Sequence, residues 1–87
     1  MLKENIKTYD YLQAFCKTLV KRYIKGQTIE QLKYRIKKYN NEFLKDKKVI
    51  LSYDDLTIKQ ITDDRYYLKL SNTEMYYIKS TNKLIFV

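Results

Sequence analysis

The hydrophobic period changes partway along the chain, and no other feature limits the fold as much. In the first half, Tyr9, Leu12, Cys16, Leu19 and Tyr23 recur at spacings of three and four, with Phe15 and Val20 widening the stripe. Ile29, Leu32, Ile36, Tyr39 and Phe43 repeat the same spacing. That is the period of one face of an α-helix. Gly26 follows the first stripe as a C-terminal cap, because glycine reaches positive φ without steric cost. Thr28 and Gln31 then match a capping box that opens the second helix. A connection as short as Gly26-Gln27 turns the helices back on each other, which predicts an antiparallel hairpin over roughly 6–25 and 28–46.

Further on, the period is two. Tyr66, Leu68 and Leu70 alternate with Arg65, Tyr67 and Lys69; Tyr76 and Ile78 alternate with Met75, Tyr77 and Lys79; Leu84 and Phe86 alternate with Ile85 and Val87. Strict alternation marks half-buried strands. Asp63-Asp64, Ser71-Asn72-Thr73-Glu74 and Ser80-Thr81-Asn82 break the runs with turn-forming residues. Leu56 to Ile61 reads as a further strand, and Val49-Ile50-Leu51 as a candidate fifth. The expectation is a single α+β domain over 1–87: an N-terminal helical hairpin (6–46) packed on a C-terminal antiparallel β-meander (49–87) of three to five strands. In the rival reading Ser52-Tyr53-Asp54-Asp55 starts a third helix running to Thr62, which with a terminal hairpin would outline a winged helix-turn-helix. The poor helical stripe of Leu56, Ile58 and Ile61 speaks against it.

Several chemistries are disfavoured at once. The 87 residues include no His and one Cys, so an internal disulfide and a Cys/His zinc site are excluded, and the usual general base near neutral pH is missing. With Gly26 as the one glycine, no glycine-rich phosphate loop can form. Cys16 lies on the apolar stripe and reads as a small buried hydrophobe. Asp54-Asp55 and Asp63-Asp64 could share a divalent cation only if their loops met, and adjacent acids are ordinary turn residues. We therefore expect no cofactor and no metal. No apolar run approaches the length of a membrane span, and Lys3, Glu4 and Lys7 interrupt any signal-like segment, so a cytoplasmic protein is expected.

The formal net charge of +8 is the main functional pointer. The preference for Lys over Arg, with Ile, Asn and Tyr abundant and Ala, Gly and Pro scarce, follows an A/T-rich codon bias and says little about function. The shortage of acids does not follow from that bias, and a surplus of cations attracts polyanions. Lys17, Lys21 and Lys25, with Lys3 and Lys7, fall opposite the apolar stripe of the first helix at like-charge spacings that cost about 0.2–0.5 kcal/mol per pair. Lys33, Lys37 and Lys38 surround Tyr34 on the second, continuing into Lys45 and Lys47-Lys48. On the outer sheet face, Arg65, Tyr67 and Lys69 are expected beside Met75, Tyr77 and Lys79, with Lys59 on a third strand, as a surface where rings stack bases and ammonium groups hold phosphates. Each group has a plainer role as well: solvated helix faces for the lysines, cross-strand stability for the tyrosines.

These residues predict a non-enzymatic basic binding protein whose partner is RNA, DNA or a ribonucleoprotein complex. The composition suits a phage or mobile-element accessory factor, or an inhibitor of host defence of the anti-CRISPR kind acting at RNA or at an acidic protein patch. Two alternatives stay open. Ten tyrosines and the poorly alternating Leu84-Ile85-Phe86-Val87 point to a protein-interaction module that dimerises through its last strand. In size, charge and terminal antiparallel strands the chain is also similar to ribosome-dependent ribonuclease toxins, although it lacks their N-terminal strand.

Overall fold

The computed structural model describes residues 5–87. Lys3 lies outside them. The elements run α1 (Asn5–Thr8), α2 (Asp10–Ile24), α3 (Ile29–Glu42), a 3-10 turn (Leu44–Lys47), β1 (Thr57–Gln60), β2 (Arg65–Leu70), β3 (Thr73–Ile78) and β4 (Lys83–Phe86). The helices precede a four-stranded antiparallel meander of order β1-β2-β3-β4, an α+β arrangement.

The hairpin forms as its capping residues dictate. Gly26 adopts φ 107°, and its N–H bonds the Tyr23 carbonyl while that of Gln27 bonds Arg22, the paired 5→2 and 6→1 bonds of a Schellman motif. The Gln31 N–H donates to the Thr28 hydroxyl at 3.1 Å and the Thr28 N–H to the Gln31 side chain at 2.9 Å, closing the capping box. The first helix, however, is not continuous from residue 6. Tyr9 is extended (φ −115°, ψ 126°), and its carbonyl accepts the opening bonds of α2 from Leu12 and Gln13. The break buries Ile6 and leaves Tyr9 38% exposed, stacked on Tyr11 rather than in the core. Gln13 Nε2 caps the Lys7 carbonyl that the break leaves open.

Val49-Ile50-Leu51 is not a strand. Val49 and Leu51 are buried and Ile50 is exposed, as alternation requires, but no neighbouring strand reaches them. The Asn40 carboxamide takes that place, accepting from the Leu51 N–H at 3.0 Å and donating to its carbonyl at 2.9 Å. The third helix of the winged reading does not form either; 57–60 is β1.

One core joins both layers: Leu12, Cys16, Leu19 and Val20 from α2 and Leu32 and Ile36 from α3 meet Ile58, Tyr66, Leu68, Leu70, Met75 and Tyr77 from the sheet. This composition corrects the expected faces of β3. Ser71 (φ 52°) and Asn72 (φ 64°) make a two-residue turn with both residues left-handed, which sets Leu70 opposite Thr73, Leu68 opposite Met75 and Tyr66 opposite Tyr77. Met75 and Tyr77 therefore point inward, while Glu74, Tyr76 and Ile78 share the outer face with Arg65, Tyr67 and Lys69. A shift of one residue in loop length exchanges the faces of a strand.

Candidate nucleic-acid interface

Because α2, α3 and the sheet turn their apolar faces to one shared core, the cations on the outer faces of the helices and those on the outer face of the sheet lie on opposite sides of it, with Lys45, Lys47, Lys48 and Lys79 on the connections between elements. Among the described residues, no Lys or Arg is held in an ion pair with a carboxylate. On the helix side, Lys21 and Lys25 are exposed and Lys17 is half-buried; Lys25 sits on the cap, past the last helical residue. Lys7 belongs to α1 and does not continue the face of α2. On α3, Tyr34 is 68% exposed with Lys37 and Lys38 beside it and Lys33 half-buried, and Glu30 precedes Tyr34 by one turn. Lys47 is engaged locally, its ammonium 4.7 Å from the Phe43 ring centroid and 5.3 Å from that of Tyr11.

The outer sheet face is built by register. Lys59, Tyr67, Tyr76 and Ile85 form one row across all four strands. Arg65, Ile78 and Lys83 form the next row, and Thr57, Lys69 and Glu74 the one beyond the tyrosines. The rings of Tyr67 and Tyr76 meet edge to face at 5.7 Å, and the Arg65 guanidinium lies 5.4 Å from the Tyr76 centroid. Partial burial, then the nearby Glu74 carboxylate, push the Tyr67 phenol above its ordinary value. Glu74 stands opposite Lys69 on this face, and the Asp55 carboxylate also lies near enough to act on Tyr67.

Of the residues expected on this surface, Arg65, Tyr67 and Lys69 are brought together with Lys59. Tyr77 is not among them: it is 2% exposed, and its hydroxyl donates to Asn82 Oδ1 at 2.8 Å. Lys79 lies past the end of β3 in the turn, where its N–H bonds the Asp64 carbonyl. Tyr76 and Lys83 are members the sequence reading missed, and the length of the Ser71-Asn72 turn was the signal for Tyr76. A second aromatic feature also went unseen. Phe15 and Tyr39 stack at 3.9 Å, Tyr39 stacks on Phe43 at 5.1 Å, and Phe43 meets Tyr11 edge-on, so the two ends of the hairpin are joined by a ladder of rings with Phe43 40% exposed.

Other candidate chemistry is occupied by structural work. Asp54-Asp55 and Asp63-Asp64 lie at opposite ends of β1 and do not meet. The Asp55 carboxylate accepts the N–H groups of Ser71 and Asn72, and Asp64 accepts both the N–H and the hydroxyl of Ser80, so each grips the turn beyond its own hairpin. No cluster of His, Cys, Asp or Glu able to hold a metal occurs among the described residues. Burial pushes the Cys16 thiol up to about 12, leaving it protonated and unreactive. No helix among the described residues is long and apolar enough to cross a membrane. No family model, curated protein or solved structure matches this chain.

Proposed function

We propose that the protein is a non-enzymatic binder of single-stranded nucleic acid, which it holds across the outer face of its sheet. The observation that carries this reading is the Tyr67–Tyr76 pair set among Lys59, Arg65, Lys69 and Lys83, four cations that make no ion pair among the described residues, with Glu74 the acid opposite Lys69. Tyrosine rings stack bases of any sequence, and flexible ammonium groups follow the phosphates without reading them. A sheet that presents rings without glycine-rich loops or a groove-reading helix favours flexible single strands over duplex. The lysines of α2 and α3 add a long-range attraction that speeds encounter. In a phage or mobile element such a module would serve as an accessory factor or as an inhibitor that competes for guide or target RNA, and its gene neighbourhood would bear on that setting.

The test is fluorescence anisotropy of a labelled single-stranded oligonucleotide against the same sequence as duplex. Tighter, salt-sensitive binding of the single strand that is lost in Tyr67→Ala/Tyr76→Ala is the expected result. Equal binding of duplex, unaffected by those substitutions, would overturn it.

A second reading is self-association through β4. It is an edge strand, and Ile85 (48% exposed) and Val87 (70%) stand uncovered beside its unpaired backbone. Sedimentation of wild type against Ile85→Lys distinguishes a dimer from a monomer.

A further inference from the structure

The segment 48–54 runs back along the C-terminal half of α3, and between the two lies an open groove of about 700 Å³. That volume is within the range of small-ligand sites. Its wall is fixed by the two Asn40–Leu51 hydrogen bonds, so it cannot peel away without uncovering both backbone groups. Lys48, left-handed at φ 57°, turns the chain sharply from the 3-10 turn into that wall. Leu44, Val49 and Leu51 form the closed floor beneath it, and the apolar surface open to the groove belongs to Ile50, 69% exposed, and the half-buried Tyr53. Lys37, Lys45 and Lys48 line the groove against one acid, Asp54, and none of the three is ion-paired. The Asn41 carboxamide, also lining it, makes no hydrogen bond within the described residues.

We propose that this groove binds a nucleoside monophosphate unit, either free or as the phosphorylated end of a strand. The charge balance calls for an anion, and the apolar lining calls for a flat body attached to it. Inorganic phosphate would leave that lining in water, whereas an uncharged ring would strip water from ammonium groups and return nothing. A nucleotide answers both demands, and the Asn41 amide and the Asp54 carboxylate offer the donor and acceptors that base edges and ribose hydroxyls take up. Lys45 and Lys48 hold the phosphate, the latter placed by its backbone conformation. The site is separate from the outer sheet face and does not depend on it.

Amide chemical shifts of the full chain, titrated with the common ribonucleoside 5′-monophosphates, test the assignment. Saturable shifts at Asn41, Ile50 and Ser52 are expected, with adenosine and inorganic phosphate each at least about tenfold weaker. Lys45→Glu/Lys48→Glu, checked for folding by circular dichroism, weakens the nucleotide by about tenfold or more. Lys21→Glu/Lys25→Glu makes the same charge change outside the groove and leaves affinity within about twofold. A 5′-phosphorylated oligonucleotide that shifts the groove amides where its 5′-hydroxyl form does not assigns a strand end as the source, and shifts with mononucleotides alone assign the free ligand. Unsaturable shifts spread over all the lysines, or equal losses in the two charge-reversal variants, would overturn the proposal. An acidic peptide that saturates the same amides while nucleotides do not would also overturn it. Tyr67→Ala/Tyr76→Ala leaves this titration unchanged, so failure here is distinguishable from failure of the sheet surface.

Discussion

Tyr67 and Tyr76 face each other across the two central strands, 5.7 Å between centroids and 61° between planes, on the side of the sheet turned away from the helices. The pair is half-buried, so it serves both stability and recognition. As a cross-strand pair it contributes about 0.2–1 kcal/mol to folding. As a stacking surface it contributes about 1–3 kcal/mol per base. Tyr67→Ala/Tyr76→Ala should therefore lower single-strand affinity by well over tenfold while the domain still unfolds cooperatively. Paired anisotropy titrations and urea melts measure the two effects separately.

Tyr77, the next residue after Tyr76, behaves in the opposite way. It is buried and tied to Asn82. Tyr77→Phe should cost about 1 kcal/mol through the lost hydrogen bond, and Tyr77→Ala about 3–5 kcal/mol through the cavity, a large share of the stability of so small a domain. Tyr77→Phe should leave nucleic-acid affinity unchanged, which urea melts and anisotropy together would verify.

Cys16 supplies a pH prediction. Its thiol rises from an ordinary 9.0 to about 12 on folding because burial penalises the thiolate. The unfolded chain thus loses this proton first. The contribution to stability is fully present below pH 9 and disappears progressively as pH climbs from 9 toward 12. A thiol reagent should react with Cys16 at mildly alkaline pH only when denaturant is present. Rapid labelling of the folded protein would show that the thiol is not enclosed.

Gly26 stands in open space, with nothing within 4 Å of where a Cβ would project, yet its φ of 107° is one that L side chains rarely adopt. Gly26→Ala should consequently destabilise the hairpin by about 1–2 kcal/mol through backbone conformation alone. Thermal unfolding monitored by circular dichroism measures it, and an unchanged midpoint would mean the cap can re-form in another geometry.

The elements that were legible in the sequence are those fixed by local chemistry. Gly26, Thr28 and Gln31 carry their capping roles in their own side chains, and the stripes through Leu12–Leu19 and Leu32–Ile36 need only a periodic pattern. What escaped notice depends on long-range partners. The break at Tyr9 arises because Ile6 finds the core and Gln13 caps Lys7. The segment 49–51 alternates like a strand, but an asparagine amide from α3 occupies its backbone. The inward turn of Tyr77 follows from one residue of loop length, and a Ser-Asn pair without glycine gave little warning that both would be left-handed. Asp55 explains that conformation, since its carboxylate binds both of their N–H groups from another loop. The aromatic ladder from Phe15 to Tyr11 likewise required the hairpin ends to meet.

The slope of log affinity against log salt for a short single-stranded oligonucleotide tests the central claim most directly. With three or four phosphates held by Lys59, Arg65, Lys69 and Lys83, wild type should give a slope of about −2 to −3, at ~0.7 per phosphate. Lys59→Glu/Arg65→Glu/Lys69→Glu should flatten that slope to near zero, whereas Lys17→Glu/Lys21→Glu/Lys25→Glu, which removes only long-range attraction, should reduce both affinity and slope by much less. The reverse pattern, with the slope lost on the helix side and retained in the sheet variant, would contradict the account.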